Sequence, residues 1–200
     1  MLHLLFSPRS THYRELAAIA DQLGAASALL SPGARASAET ALGLQGLRHQ
    51  ATGLRRKLEP RLARAGAHLV DPRLTSEAAA ELCKVVRLVS RVVRCREWIR
   101  LDAVPAELAE LQAMAVRRVE ALGEAARTLG SSGRWLGGPM VAAPMKAEAE
   151  EPYDRGVGRL FTGSLDPVEV LRQKAVYDVL LELVLGSDRA LEALQTASVE

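Results

Sequence analysis

The amino-acid sequence predicts an all-α protein of six helices. Alanine and leucine are abundant, while aromatic residues make up only 4% of the 200 residues, and this composition favours helix over sheet. Apolar residues recur every three or four positions along most of the chain, which is the period of an amphipathic helix. Glycine, proline and Asp-Pro pairs interrupt this period, as expected of the turns between helices.

The first three helices are expected at about 11–30, 36–67 and 76–101. Pro60 should kink or divide the second helix, because proline lacks a backbone N–H and clashes with the preceding turn. Asp71-Pro72 marks a turn, after which Thr75 or Ser76 should cap the third helix. The valine-rich stretch 85–93 makes a strand the local alternative, but its interleaved basic residues favour helix.

The last three helices are expected at about 105–128, at 141–161 and from Pro167 onward. Gly130 to Gly133 should end the fourth helix, and the loop that follows, with Trp135, should be exposed. Pro152 should weaken the second half of the fifth helix. Asp166 should cap the sixth, with Pro167 at its first position.

An internal repeat divides these helices into two similar halves. In each half, two helices lead to an Asp-Pro dipeptide and an apolar helix follows, and the two dipeptides lie 95 residues apart. The sequence therefore predicts two three-helix bundles, residues 1–103 and 104–200, that bury their apolar seams against each other.

Charge is distributed unevenly between these halves. The net charge is only +2, but residues 44–100 carry 13 basic and 5 acidic side chains, while residues 101–200 carry 10 basic and 16 acidic ones. The basic part can therefore attract either the acidic half or an external anionic surface.

Several classes of protein are disfavoured by the sequence. No stretch is long and apolar enough for a membrane span, and no signal peptide is evident, so a cytoplasmic protein is expected. Cys83 and Cys95 are too far apart on one helix to form a disulfide. No nucleophile elbow, phosphate-binding loop or di-iron motif is present, which argues against an enzyme. Nucleic-acid binding is not expected, because recognised motifs are absent and aromatic residues are few.

Short motifs in both halves resemble the PhoU-like family, in its branch associated with Pit-type phosphate transporters. The matching residues are Leu5-Phe6-Ser7-Pro8, Tyr13-Arg14-Glu15-Leu16, Glu150, Asp154, Arg159-Leu160-Phe161, Asp166-Pro167, Lys174 and Tyr177. The resemblance implies two three-helix bundles related by pseudo-symmetry, the same architecture that the helix pattern predicts. It also implies a partner, which would be a Pit-type phosphate transporter or its regulatory machinery.

Members of that family can bind iron or zinc through a carboxylate followed four residues later by an aspartate. Glu150 and Asp154 keep this spacing, which places two carboxylates on one helix face. In the first half, the positions that align with this pair hold Arg48 and Thr52, and residues 82–96 contain no acid. Because a cation needs more oxygen ligands than one pair supplies, we expect degenerate metal motifs and no cofactor.

Alternatives to that expectation remain open. One is a residual iron or zinc site at Glu150 and Asp154. The other is an exposed acidic segment without a ligand, in which Asp154 is solvated or pairs with Arg155 or Arg159.

The second candidate site is a basic stripe on the third helix. Lys84, Arg87, Arg91 and Arg94 are spaced by three, four and three residues and so share one face. This stripe could bind an anion or an acidic protein partner, dock on the acidic half of the same chain or a second copy, or simply be solvated.

The patterns predict a non-enzymatic protein that acts by protein–protein binding, and the resemblance implies a regulatory or accessory role in inorganic phosphate transport. A metal-binding PhoU-like protein and a self-assembling helical scaffold are the alternatives. A homodimer and peripheral contact with a membrane are both compatible with the sequence.

Overall fold

Six helices make up the part of the chain that the computed structural model describes, namely residues 8–30, 38–64, 71–98, 104–132, 145–163 and 165–199. The helices are α1 (Pro8–Ala28), α2 (Ala38–Arg64), α3 (Pro72–Trp98), α4 (Ala106–Ser132), α5 (Lys146–Thr162) and α6 (Pro167–Val199). None of these residues forms a β-strand, so the prediction of an all-α fold with six helices is confirmed. The valine-rich stretch is helical, and its valines are buried on one face of α3.

The third and sixth helices begin in the same way, at an Asp-Pro pair. Asp71 Oδ1 accepts a hydrogen bond from the backbone N–H of Arg73 at 2.7 Å, and Asp166 Oδ1 accepts one from Val168 at 2.8 Å. The prediction for Asp166 is therefore confirmed. The prediction that Thr75 or Ser76 caps the third helix is wrong, because Asp71 satisfies the free N–H groups one turn earlier.

The prolines and glycines that were expected to interrupt the helices act to different extents. Pro60 lies inside α2 without dividing it, and the helix continues to Arg64, while the alternative of a kink there stays a prediction. α4 ends at Ser132, inside the glycine-serine segment predicted to end it. Pro152 is buried inside α5, which continues through it to Thr162. The expected start at Val141 and the predicted loop residue Trp135 lie outside the described residues.

The helices of each half contact one another, and two helix pairs join the halves. In the first half α1, α2 and α3 are in mutual contact, as are α4, α5 and α6 in the second. The most extensive contacts, however, are between α1 and α4 and between α3 and α6. A glycine permits close approach in the second of these pairs, because a Cβ on Gly186 of α6 would lie 2.7 Å from Leu88 of α3.

A continuous apolar core lies between these helices. Its largest fully buried side chains come from five of the six helices and include Leu16, Ile19, Leu23, Leu44, Leu58, Leu82, Leu111, Leu122, Leu129, Tyr177 and Leu180. Burying one such side chain stabilises the fold by about 1.5–3 kcal/mol, so this core contributes a large part of the stability.

A residue just beyond the C-terminal end of α1 is held by side chains from two other helices. The carbonyl of Leu30 accepts hydrogen bonds from Arg96 Nη1 at 3.2 Å and from Gln112 Nε2 at 2.5 Å. Carbonyl groups at a helix end lack intrahelical donors, and these two side chains supply them. The same contact fixes the ends of α3 and α4 beside α1.

None of the helices described is long and apolar enough to cross a lipid bilayer.

Candidate functional site

The basic stripe predicted from the sequence lies on the exposed side of α3, and two of its four members are paired within the chain. Lys84 forms an ion pair with Glu81 one turn earlier on the same helix. Arg91 Nη1 lies 2.6 Å from Glu182 Oε2 of α6, which joins the basic half to the acidic half. The Arg91–Glu182 pair is half exposed, and such pairs contribute about 0–1 kcal/mol. In the other pair Lys84 is half exposed, but Glu81 is only 14% exposed.

The other two members of the stripe have no carboxylate partner among the residues described. Arg87 and Arg94 are both exposed. Arg94 Nε donates a hydrogen bond to the backbone carbonyl of Ser90 at 3.4 Å, which leaves the terminal nitrogens of its guanidinium available. The uncompensated charge of the stripe is therefore concentrated at Arg87 and Arg94.

Arg94 also lines a groove between α2 and α3, hereafter the α2–α3 groove. The groove has a volume of about 580 Å³ and is lined by Leu42, Leu44, Gln45, Arg48, Ser90, Arg94 and Glu97. Arg48 of α2 and Arg94 of α3 bring two guanidinium groups to one concavity, with Glu97 the acidic residue of the lining. Leu42 adds an apolar side chain that is 69% exposed.

From the sequence, Arg48 was identified only as the residue at a position where a metal ligand is missing, and the groove was not predicted. The helical spacing of the stripe identified Arg94, but Arg48 belongs to another helix whose packing angle the local pattern does not specify. One indication was present in the sequence, namely the concentration of basic residues in both α2 and α3.

The candidate metal ligands lie on α5. Glu150 Oε1 is 3.7 Å from Lys146 Nζ, and Asp154 is exposed. Arg155 and Arg159 point their guanidinium groups elsewhere. Arg155 pairs with Glu151 at 2.6 Å and with Glu110 of α4 at 2.8 Å, while Arg159 pairs with the buried Glu107 at 2.7 Å. Within the described ranges, no three His, Cys, Asp or Glu side chains are grouped so that they could hold a metal ion.

Aromatic and polar contacts pack α5 against α6. Tyr177 is fully buried, and its ring lies against Gly156. Tyr153 meets this ring edge to face, with ring centroids 6.4 Å apart. Its hydroxyl donates to Asp178 Oδ1 at 2.7 Å, and Lys174 Nζ lies 2.7 Å from Asp178 Oδ2. Burial raises the pKa of Tyr177, and the negative charge of Glu107 raises it further.

A buried ion pair holds α4 against α6. Arg118 bonds to Asp188 Oδ1 with side-chain exposures of 4% and 14%, and Asp188 Oδ2 accepts the backbone N–H of Met145 at 3.0 Å. Asp188 thus anchors the start of α5 as well. These contacts of Asp188 tie α4, α6 and the start of α5 together.

Both cysteines are free thiols. Cys83 is buried, and its Sγ lies 3.5 Å from the backbone carbonyl of Ala51, whereas Cys95 is half-buried. Burial raises the pKa of both thiols, although nearby arginines oppose the shift. A thiol with a raised pKa is a poor nucleophile at neutral pH, so neither cysteine has the activated environment of a catalytic thiol.

No protein-family model matches this chain, and no curated protein sequence matches it significantly.

Proposed function

We propose that this protein is a PhoU-like regulatory or accessory protein of inorganic phosphate transport, which acts by binding a protein partner and catalyses no reaction. The resemblance in the motifs from Glu150 to Tyr177 suggests the family. The arrangement of the helices supports the pseudo-repeat on which that proposal depends.

Three features recur in both halves. Exchanging α1, α2 and α3 for α4, α5 and α6 leaves the set of helix contacts unchanged, including the two pairs that join the halves. An Asp-Pro pair caps the third helix of each half through the same hydrogen bond. A glutamate on the first helix pairs with an arginine on the second in both halves, namely Glu15 with Arg61 and Glu110 with Arg155.

The observation that carries a binding function is the uncompensated positive charge on α3. Arg87 and Arg94 are exposed, and neither forms an ion pair within the described part of the chain. Arginine is suited to recognition of carboxylates, because its planar guanidinium donates two parallel hydrogen bonds. The proposed partner surface is therefore acidic, and on the family resemblance it belongs to a Pit-type phosphate transporter or its regulatory machinery.

Co-purification from native membranes tests this proposal. The tagged protein should retain the Pit-type permease of its own organism at about 0.1 M salt and release it as ionic strength rises. Arg87→Glu together with Arg94→Glu should abolish retention, while Arg117→Glu, which reverses an exposed charge on α4, should not.

Phosphate uptake supplies the functional measurement. Deleting the gene should change the rate or the phosphate dependence of uptake, and the Arg117→Glu variant should restore it where the double variant does not. Unchanged uptake in the deletion strain, together with no retention of the permease by the wild-type protein, would contradict the proposal.

A further inference from the structure

We infer that the α2–α3 groove binds a short, acidic, amphipathic segment of the protein partner. The inference rests on the proposed function, because it assigns the contact surface of the same binding protein. It follows from the size of the groove, the charges on its walls and an exposed leucine in its lining.

The groove is larger than a single small anion needs. At about 580 Å³ it falls within the range of about 300–1,000 Å³ typical of sites for organic molecules, so the chemical class of the occupant follows from the side chains on its walls. One oxyanion held between two arginines would leave most of this space filled with water. A helical or extended segment that inserts several side chains would fill it.

The charges on the walls select acidic side chains. Arg48 on α2 and Arg94 on α3 line the groove, and no carboxylate among the described residues pairs with either guanidinium. Each can take a carboxylate in bidentate geometry. The surrounding basic residues of both helices add a long-range attraction for an acidic segment, which accelerates association at low salt.

The apolar part of the lining requires that the segment be amphipathic. Leu42, which is 69% exposed, and the buried Leu44 both line the groove. A lone exposed leucine is unremarkable on a protein surface. Next to two arginines in one concavity, however, it offers apolar area that only a segment with apolar and acidic side chains on one face would cover.

The direction of the helices orders these features along the groove. The residues that α2 contributes run from Leu42 to Arg48 and those of α3 from Ser90 to Glu97. Ala51 of α2 contacts Cys83 of α3, so later residues of α2 lie beside earlier residues of α3 and the two helices run antiparallel. Leu42 and Glu97 therefore share one end of the groove, while Arg48 and Ser90 share the other. The partner segment should therefore place its carboxylates toward Arg48 and an apolar side chain toward Leu42. Glu97 disfavours an acidic residue at the leucine end.

Fluorescence anisotropy with synthetic peptides tests the inference directly. The probe is a labelled peptide of about three helical turns with leucines at i and i+3 and glutamates at i+4 and i+7, so that one face carries apolar side chains at one end and acidic ones at the other. A scrambled peptide of the same composition is the matched control. The wild-type protein should bind the amphipathic peptide at least about tenfold more tightly than the scrambled one.

Variants locate the binding site. Arg48→Glu should weaken binding of the amphipathic peptide at least about tenfold, and Leu42→Ser about threefold or more, while Arg117→Glu should leave it within about twofold. Both altered side chains lie at least partly on the surface, so the variants should keep the circular dichroism spectrum of the wild type.

Three outcomes would overturn the inference. Equal binding of both peptides would show a charge effect without an amphipathic site. Complete displacement of the peptide by inorganic phosphate at low millimolar concentration and constant ionic strength would identify an oxyanion site instead. A dimer that dissociates on Arg48→Glu in light-scattering measurements would identify a second copy of the chain as the occupant.

The permease measurement separates this inference from the proposed function. If the Leu42→Ser and Arg48→Glu variants retain the permease as well as the wild type does, the groove assignment is wrong and the proposed function stands. If the wild type binds the peptide but no permease, the proposed function is wrong and the groove assignment stands.

Discussion

The ring of Tyr177 occupies the space beside Gly156 so closely that a Cβ added to the glycine would lie 2.4 Å from Tyr177 Cε1. We therefore expect Gly156→Ala to lower the free energy of unfolding by about 1–3 kcal/mol, because the buried ring has to move. Gly158 is the matched control, since nothing lies within 4 Å of its added Cβ. Gly158→Ala should stabilise the helix by about 0.5–1 kcal/mol. Urea unfolding of both variants measures the difference, and equal effects would contradict the contact.

The ion pair of Arg118 and Asp188 should be one of the most sensitive polar contacts of the fold. Asp188→Ala removes the carboxylate from a nearly buried guanidinium and also removes the acceptor of the Met145 N–H. We expect a loss of about 3–5 kcal/mol in the free energy of unfolding. Asp154→Ala, which alters an exposed carboxylate, should stay within about 0.5 kcal/mol of the wild type in the same assay.

The two Asp-Pro helix starts should be energetically similar. Asp71→Ala and Asp166→Ala each remove a side-chain acceptor for a free backbone N–H, at an expected cost of about 1 kcal/mol. The matched asparagine variants should recover most of this loss, because asparagine caps helices about as well as aspartate. A shift in the thermal midpoint measures each effect. Alanine variants as stable as the wild type would show that the caps do not contribute.

Alkaline pH should destabilise the fold through groups that are buried in their neutral form. Burial raises the pKa of Tyr177 above its ordinary value of 10.0 and that of Cys83 above 9.0. When the pKa of a group is higher in the folded than in the unfolded state, the stability it contributes is complete below the pKa of the unfolded state. That stability is lost as the pH rises from the unfolded-state pKa toward the folded-state pKa. We therefore expect the free energy of unfolding to fall above about pH 9, by at most about 1.4 kcal/mol per pH unit for each group.

Tyr177→Phe separates the tyrosine contribution to this pH dependence. Above about pH 10 the variant should lose stability less steeply than the wild type, because phenylalanine does not ionise. Denaturant unfolding at a series of pH values measures both slopes. Identical slopes would show that Tyr177 does not ionise on unfolding in this range.

The local sequence pattern predicted the helices well but placed their starts less reliably. The spacing of buried valines in α3 was sufficient to distinguish helix from strand, because one face of a helix has a period that a strand lacks. The start of the same helix was misplaced, since both Asp71 and Thr75 are good capping residues. The hydroxyl of Thr75 instead donates to the carbonyl of Asp71, one turn back within the helix.

The candidate site was only partly predictable, for a related reason. Helical spacing placed the four basic residues on one face of α3, but it gave no information about Glu182, which pairs with Arg91 from 91 residues away. The meeting of Arg48 and Arg94 likewise depends on how α2 packs against α3. Periodicity describes a single helix, whereas a groove is a property of two.

The pairing of α1 with α4 and of α3 with α6 has a consequence for how the chain reaches its native state. Contacts such as those of Leu30 with Gln112 and of Arg91 with Glu182 close loops of 82 and 91 residues, close to half the chain. Contacts so distant in sequence are slow to form, because loop closure costs entropy before packing compensates for it. While the ribosome is still synthesising α4 to α6, the parts of α1 and α3 that pack against α4 and α6 have no partner to cover them. The nascent first half should therefore depend on chaperones until the second half emerges.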